Sequence, residues 1–303
     1  MTQFKPVSNP KLKVALKRYP QTEALLTGAV SSPFVDFEFH EIEPIHDAFK
    51  PMAQRQAFDV SEMAIFTCLQ ALTYGKPLVL LPLVLAARFQ HPCIVYNTNF
   101  HREVTPQMLP GMKVGVRAYS QTTGAWVRNI LSNEHGVDLE AVRWVTFEGG
   151  HLDEYQEPDF VTRATTGAKL LPSLMSGAVD AAILGNDLPD DPCIKPVIPN
   201  AKSAGRAWFD KHGLVPINHM LVVSGKLASE RPDLVREVFS LFCSSKDAAA
   251  PSQPDLRPIG CDNIRPSLKL VIDMAYRQRL IPKRFEVEDL FATAREILGE
   301  QAG

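Results

Sequence analysis

Two clusters of polar and ionisable residues follow apolar runs in the first third of the chain. Ser61 and Glu62 come directly after the apolar run Phe58–Val60, and a second cluster comes after the longer run 77–87. That second cluster consists of Arg88, Gln90 and His91. In an open α/β sheet the carboxyl ends of strands face the ligand crevice, so polar side chains placed there are positioned to contact small molecules. The spacing predicts that the chemistry starts at the Ser61-Glu62 turn.

Two further polar segments also lie beside predicted strands or helices. Ser120, Gln121, Thr122 and Thr123 lead into an amphipathic helix predicted over 125–131. The free amides of a first helical turn, together with the helix dipole, form an anion pocket that suits a carboxylate. The alternative is that Ser120 and Thr122 only cap the helix.

A polar turn also follows the short predicted strand 180–184. It consists of Gly185, Asn186 and Asp187. Because this turn again lies at the carboxyl end of a strand, Asn186 is a candidate ligand contact.

The apolar patterns predict the elements that must position these clusters. Strands are predicted at 11–17, 35–42, 58–60, 77–87, 94–96, 113–117, 142–147, 180–184 and 218–224. Helices are predicted at 23–27, 44–56, 63–74, 125–131, 169–176, 206–212, 230–245, 266–279 and 287–298. This order predicts a two-lobed α/β fold with a ligand cleft between the lobes. The predicted first lobe is discontinuous, 1–98 and 220–303, and the inserted second lobe is 99–219.

Composition narrows the classes of function. The 303 residues carry a net charge of -2 with mixed signs, which gives no general attraction to nucleic acid or to an anionic membrane. A small molecule is therefore the predicted partner. The N-terminal segment has no apolar stretch of the length that a secretory signal needs, which predicts a cytoplasmic protein. The five cysteines form no CxxC pair, which argues against a disulfide framework and a thiolate metal site.

Six segments, in the same order along the chain, resemble the 4,5-dihydroxyphthalate decarboxylase family. They are FDVSEM (58–63), RFQH (88–91), KVGV (113–116), QTTGAWVR (121–128), EHGVDL (134–139) and GLVPINH (213–219). The resemblance implies a type II periplasmic-binding-protein-like fold, in agreement with the two lobes predicted from the patterns. One difference lies at 185–189, where the family carries a basic Arg-Pro segment and this chain has GNDLP.

The resemblance implies a carboxy-lyase that converts 4,5-dihydroxyphthalate, or a close analogue, to protocatechuate without a cofactor. Each hydroxyl of that substrate is para to one carboxylate, so the ring can accept a proton at the carboxylate-bearing carbon and then lose carbon dioxide. Such a site needs a proton donor, a base for the phenol, and cationic or amide groups that hold the remaining carboxylate.

These requirements select candidate residues. His91 and His219 are the candidate acid/base groups because histidine titrates near neutral pH, and Glu62 would orient one of them or take the phenolic proton. Guanidinium groups suit the planar geometry of a carboxylate. The candidate substrate contacts are Arg18, Ser61, Arg88, Arg117, Tyr119, Gln121, Thr122, Thr123 and Asn186. Although histidine and glutamate are metal ligands, no ligand spacing favours a metal, and none is assigned.

Structural alternatives stay open for these residues. The alternative for His219 is a structural hydrogen-bonding role, and the alternative for Glu62 is a helix cap. Arg117 and Arg128 are alternatively solvated charges on the surface. For the whole protein, the alternative is a solute-binding protein that captures a small aromatic or other carboxylate and catalyses nothing, because the fold serves both functions. A homo-oligomer is also left open.

Overall fold

The structure is a computed structural model, and it describes residues 9–185 and 188–303. The strands are β1 Lys11–Ala15, β2 Asp36–His40, β3 Val60–Ala64, β4 Leu78–Ala87, β5 Ile94–Asn97, β6 Lys113–Val116, β7 Arg143–Thr146, β8 Val161–Arg163, β9 Ala181–Ile183, β10 Ile194–Pro196 and β11 Ile217–Ser224. The helices are α1 Glu23–Leu26, α2 Phe49–Arg55, α3 Ile65–Thr73, α4 Thr122–His135, α5 Leu170–Met175, α6 Ala201–His212, α7 Gly225–Glu230, α8 Pro232–Asp247, α9 Cys261–Arg277 and α10 Val287–Leu298.

Two sheets form the centres of two lobes. Within the described ranges, the first sheet has the strand order β2-β1-β3-β11-β4 and the second has the order β10-β5-β9-β6-β7-β8. β3 lies between the parallel strand β1 and the antiparallel strand β11. The predicted two-lobed α/β architecture is therefore confirmed.

The chain passes from one sheet to the other near residues 98 and 219, where the lobe boundaries are predicted. The exact boundaries remain a prediction. β5 lies in the second sheet beside β9 and β10, although its residues fall within the predicted first-lobe range 1–98. β11 starts at Ile217, ahead of the predicted boundary at 219, and its whole length pairs within the first sheet. The crossovers therefore lie between β4 and β5 and between β10 and β11.

The Ser61-Glu62 turn predicted from the sequence is not a turn, because both residues lie inside β3 and are fully buried. The strand continues past them because β1 and β11 pair with it on both sides. The three-residue strands β8 and β10 were not predicted, because their sequences VTR and IKP show neither an apolar run nor a clear alternation.

Helix α4 ties the second lobe to the first through buried side chains. The Trp126 indole N–H donates to the Ile217 carbonyl at 2.8 Å, where β11 changes register against β4. Gln278, at the end of α9, donates to the Ala125 carbonyl at 2.9 Å and accepts from Arg128 at 2.8 Å. Arg128 is fully buried rather than a solvated surface charge. These bonds fix the start of α4 relative to β11.

We expect W126F to lower the free energy of unfolding by about 1–3 kcal/mol, because the buried Ile217 carbonyl would lose its donor. The measurement is the midpoint of urea unfolding. W208F is the control for lost ring area, since Trp208 packs edge to face on Trp126 with ring centroids 5.9 Å apart. Equal losses in the two variants would contradict a specific role for the indole hydrogen bond.

Within residues 9–185 and 188–303, none of the helices combines the length and the apolar character that a membrane span requires. All five cysteines are free thiols.

Candidate active site

A cleft of about 670 Å³ is lined by residues of both lobes. Pockets for small ligands occupy roughly 300–1,000 Å³, so a single-ring acid fits this volume. Among the described lining residues, four are cationic and two are carboxylates. They are Lys17, Arg88, Arg117 and Lys169, and Glu43 and Glu148. The excess of cations suits an anionic ligand.

Glu62 organises the first-lobe wall of the cleft from a fully buried position. Its carboxylate accepts hydrogen bonds from the backbone N–H of Lys17 at 3.0 Å, the Tyr19 hydroxyl at 2.6 Å and Nδ1 of His219 at 2.5 Å. Lys17, Tyr19 and His219 line the cleft. A buried carboxylate needs such partners, because an unpaired charge in the interior is strongly unfavourable.

The pairing of the strands explains why Glu62 and His219 meet. In the register of β3 with β11, Glu62 lies opposite Leu221 and Ala64 lies opposite His219. Glu62 and His219 are therefore diagonal neighbours on one face of the sheet, within reach of long side chains. The bond at Nδ1 leaves Nε2 of His219 for a ligand in the cleft. Glu62 acts as the partner of a histidine and not as a helix cap.

Tyr19 lies in the segment after β1 and is held in place by two elements. Its backbone N–H donates to Oγ1 of Thr22, and its hydroxyl donates to Glu62. Burial raises the pKa of Tyr19 well above its usual range, and the charge and hydrogen bond of Glu62 raise this pKa further. The hydroxyl therefore stays protonated and serves as a fixed polar group beside His219.

The start of α4 forms the opposite, second-lobe wall. The N-cap position of α4 is occupied by Gln121, whose side chain makes no capping bond. Ser120 and Thr122 flank this position, so neither of them is the cap of the helix. Gln121, Thr122 and Thr123 line the cleft. Within the described residues, Oγ1 of Thr122 and Oε1 of Gln121 have no hydrogen-bond partner. The first-turn amides and the Thr122 hydroxyl can donate hydrogen bonds, so they make a site for a carboxylate.

Two arginines lie next to the start of α4. Arg88, directly after β4, donates through Nη2 to Oγ1 of Thr123 at 3.0 Å. Arg117, directly after β6, lines the cleft and lies 3.7 Å from Glu148 through its Nε. The Arg117 side chain is 21% exposed, which places it at the cleft and not on the open surface. Both guanidinium groups are positioned to bind a carboxylate beside α4.

His151 enters the cleft from the loop after β7. Its Nδ1 lies 2.8 Å from Oγ1 of Thr67 in α3. Burial, together with the nearby basic side chains of Arg117, His46 and Lys50, lowers the pKa of His151 to about 4. The ring is therefore neutral at neutral pH.

The structure brings together most of the predicted site residues. Glu62 is buried behind the first-lobe wall of the cleft, and it contacts His219, which forms part of that wall. The second group comes from the end of β4 and from the second lobe, and it lines the cleft. Its members are Arg88, Arg117, Gln121, Thr122 and Thr123. Asn186 lies outside the described residues.

Four predicted site residues lie away from the cleft. His91 is buried with Nε2 3.3 Å from Glu134, and Tyr119 is buried under the Arg128 guanidinium, 3.8 Å from its ring centroid. Arg18 pairs with Glu23 on the surface, and the Ser61 hydroxyl donates to the backbone carbonyl of Glu62 at 2.7 Å. Ser61 points away because neighbours in a strand point to opposite faces. The other three lie in the segments after β1, β4 and β6, whose course the sequence could not show. These residues are not candidates for contact with a ligand in the cleft.

Several cleft residues were missed from the sequence. They are Lys17, Tyr19, His46, Thr67, His151, Lys169 and Asn218. For Tyr19 and His151 a signal was present, since each follows a predicted strand, and His151 follows a Gly-Gly pair that marks a turn.

The possible metal ligands among the described residues do not form a metal site. Within the described residues, no group of three or more His, Cys, Asp or Glu side chains is arranged to hold a metal ion. At the cleft the Glu62 carboxylate and the His219 imidazole are instead bonded to each other.

Comparison with curated proteins supports the resemblance to 4,5-dihydroxyphthalate decarboxylases. The chain is 25% identical over 259 residues to the enzyme of that name from Comamonas testosteroni, covering 80% of this chain and 77% of the relative. It is 27% identical over 180 residues to the enzyme of the same name from Pseudomonas putida, covering 57% of this chain and 69% of the relative. No protein-family model matches the chain.

Solved structures show the fold. The alkanesulfonate-binding protein SsuA from Xanthomonas axonopodis pv. citri bound to MOPS superposes with a TM-score of 0.60 at 13% identity, covering 94% of this chain and 99% of SsuA. A mutant of DSZB in complex with biphenyl-2-sulfinic acid superposes with a TM-score of 0.52 at 15% identity, covering 95% of this chain and 100% of DSZB. The predicted type II periplasmic-binding-protein-like fold is thus confirmed.

Proposed function

We propose that this protein is a cofactor-independent carboxy-lyase that decarboxylates 4,5-dihydroxyphthalate or a closely related hydroxylated aromatic dicarboxylate. The observation that carries this proposal is the contact between buried Glu62 and cleft-lining His219, 2.5 Å apart, in the wall of a cleft rich in cations. Two relatives named 4,5-dihydroxyphthalate decarboxylase support the same reaction. The neighbour bound to biphenyl-2-sulfinic acid supports an aromatic acid as ligand.

In the proposed reaction, the guanidinium groups of Arg88 and Arg117 and the first-turn amides of α4 bind the carboxylate that remains. Nε2 of His219 donates a proton to the ring carbon bearing the other carboxylate, while the para hydroxyl loses its proton. The C–C bond to this carboxylate then breaks, carbon dioxide leaves, and its electron pair restores the aromatic ring. Glu62 orients His219 and stabilises the positive charge of its protonated ring, as a carboxylate does in hydrolytic triads.

A solute-binding protein for a small carboxylate is the second candidate. The SsuA fold match favours it, because that neighbour is a binding protein. A binding site for an acid needs cations and amides, but it does not need a buried carboxylate behind a cleft-facing imidazole. The Glu62–His219 pair is therefore the feature that favours catalysis.

The test is to incubate the purified protein with 4,5-dihydroxyphthalate and to measure carbon dioxide and protocatechuate. In D₂O, the product should carry one deuterium at the carbon that lost its carboxylate, because the proton comes from an exchangeable imidazole. Tight binding of an aromatic acid without turnover would support the solute-binding function and contradict the enzyme.

We expect phthalate, which lacks both hydroxyls, to bind the cleft and inhibit competitively without being turned over. Its carboxylates can still contact Arg88 and Arg117, but the ring has no para hydroxyl to supply electrons during protonation. Isothermal titration and inhibition kinetics measure this. Decarboxylation of phthalate at a rate similar to that of the dihydroxy acid would contradict the ring-protonation chemistry.

The compartment and the assembly state stay predictions. A cytoplasmic location is checked by cell fractionation, and a homo-oligomer by light scattering of the purified protein.

A further inference from the structure

His151 is a cleft residue for which the reaction outlined above has no use. It belongs to the loop between β7 and β8, residues 147–160, which we call the crossing loop. Its ring lines the cleft, and its Nδ1 contacts Thr67 of the first lobe at 2.8 Å. A Cβ on Gly150 would lie 3.1 Å from both the Ser120 hydroxyl and the Tyr155 ring, so the loop packs closely just before His151.

His151 and His219 flank the same phenylalanine. Their ring centroids lie 5.8 Å and 5.0 Å from that of Phe49, both in edge contacts. His219 belongs to the first lobe and His151 to the second. A single aromatic ring of a substrate in this cleft would therefore lie near an imidazole from each lobe.

The surroundings of the two imidazoles are opposite in charge. His219 contacts the Glu62 carboxylate, whereas His151 contacts a neutral hydroxyl, and the basic side chains around it are Arg117, His46, Lys50 and His219. Burial and these side chains keep His151 unprotonated at neutral pH, with its pKa lowered to about 4. Neighbouring imidazoles in such different environments are suited to divide acid and base roles.

We infer that His151 is the base of the reaction: its Nε2 accepts the phenolic proton of the substrate while His219 protonates the ring carbon para to that oxygen. The O–H bond breaks as the new C–H bond forms. After carbon dioxide leaves, the proton on His151 returns to the phenolate oxygen. Thr67 is a positioning residue, because its hydroxyl accepts the Nδ1–H and so leaves the Nε2 lone pair directed at the substrate. This role of His151 rests on the proposed decarboxylation.

Contacts across the cleft hold the crossing loop on the first lobe. Lys50 Nζ bonds Asp153 Oδ1 at 2.6 Å, and Lys76 Nζ bonds Glu154 Oε1 at 2.5 Å. Gln54 donates to the His151 carbonyl at 3.4 Å. These contacts between the lobes hold His151 at the wall of the cleft.

The first experiment compares H151Q with wild type on 4,5-dihydroxyphthalate. We expect kcat to fall by about 100-fold or more at pH 7, as for the loss of a general base, with KM changed by less than about threefold. The ratio of the wild-type kcat to the H151Q kcat should decrease as the pH approaches about 10, where a phenol ionises without a base. A purely structural role of His151 would not produce this recovery. The control is H212Q, since His212 is exposed on α6.

T67V gives a second, independent measurement. It keeps the imidazole and the volume of residue 67 but removes the partner of Nδ1, so kcat should fall with KM unchanged. Phthalate binding shows that each variant is folded. If H151Q does not bind phthalate, the kcat of T67V is the test of the inference. A wild-type kcat in T67V then overturns the role of His151.

The outcomes separate the two proposals. A wild-type protein without turnover overturns the proposed function and the role of His151 with it. Wild-type turnover together with a kcat of H151Q within threefold of wild type, or a deficit independent of pH, overturns the role of His151 alone.

Discussion

H219Q should lower kcat on 4,5-dihydroxyphthalate by about 10²- to 10⁴-fold, the range typical of a lost general acid. Glutamine retains much of the side-chain volume and can still bond Glu62, so the wall of the cleft should stay intact. Because His219 does not hold the carboxylates in the proposed complex, the affinity for phthalate should change little. Steady-state kinetics and isothermal titration with phthalate measure the two effects separately.

H91Q is the matched control for this variant. His91 is also a buried histidine beside a glutamate, with Nε2 3.3 Å from Glu134, but it does not line the cleft. We expect H91Q to affect stability and to leave the rate per folded molecule close to wild type. A folded H91Q protein without turnover, or an H219Q protein at the wild-type rate, would contradict the assignment of the proton donor.

R88Q should raise KM for 4,5-dihydroxyphthalate, and Kd for phthalate, by about 10- to 150-fold. Hydrogen bonds to a charged group contribute about 1.5–3 kcal/mol, and each 1.4 kcal/mol is a factor of ten in affinity. The effect should fall mainly on binding, because Arg88 contacts Thr123 at the start of α4, where the proposed carboxylate site lies. R88K should rescue only part of the loss, since an ammonium group lacks the planar fork of guanidinium.

R18Q applies the same change outside the cleft. Arg18 is 60% exposed in its pair with Glu23, and exposed ion pairs contribute little. Its KM and phthalate affinity should equal those of wild type. Equal losses in R18Q and R88Q would indicate a general effect of net charge and would contradict a specific carboxylate site at Arg88.

Much of the fold and part of the site could be predicted from the sequence. The period of the apolar residues determined the main strands and helices, because burial of one face depends on that period. Polar residues after apolar runs led to Arg88, and the hydroxyl residues before a helix led to Thr122 and Thr123, which line the cleft. The short strands β8 and β10, with the sequences VTR and IKP, carry too little pattern for prediction.

The directions of side chains could not be predicted in the same way. His91 and His219 are the same residue type beside apolar strands, yet one faces Glu134 and the other the cleft. Arg18 points to the surface, while its neighbours Lys17 and Tyr19 line the cleft. Which face a residue occupies depends on the strand register and on the course of each loop, and both are set by packing partners distant in sequence.

The sequence alone determined that the chain forms two α/β lobes and that acid, base and cationic groups lie in or next to its strands. Only the tertiary structure decided which of these groups meet. Glu62 shows the reason: its partners lie 45, 43 and 157 positions away, at Lys17, Tyr19 and His219. A carboxylate is tolerated in the centre of a buried strand only because these distant donors satisfy it, and this condition arises when β1, β3 and β11 pair.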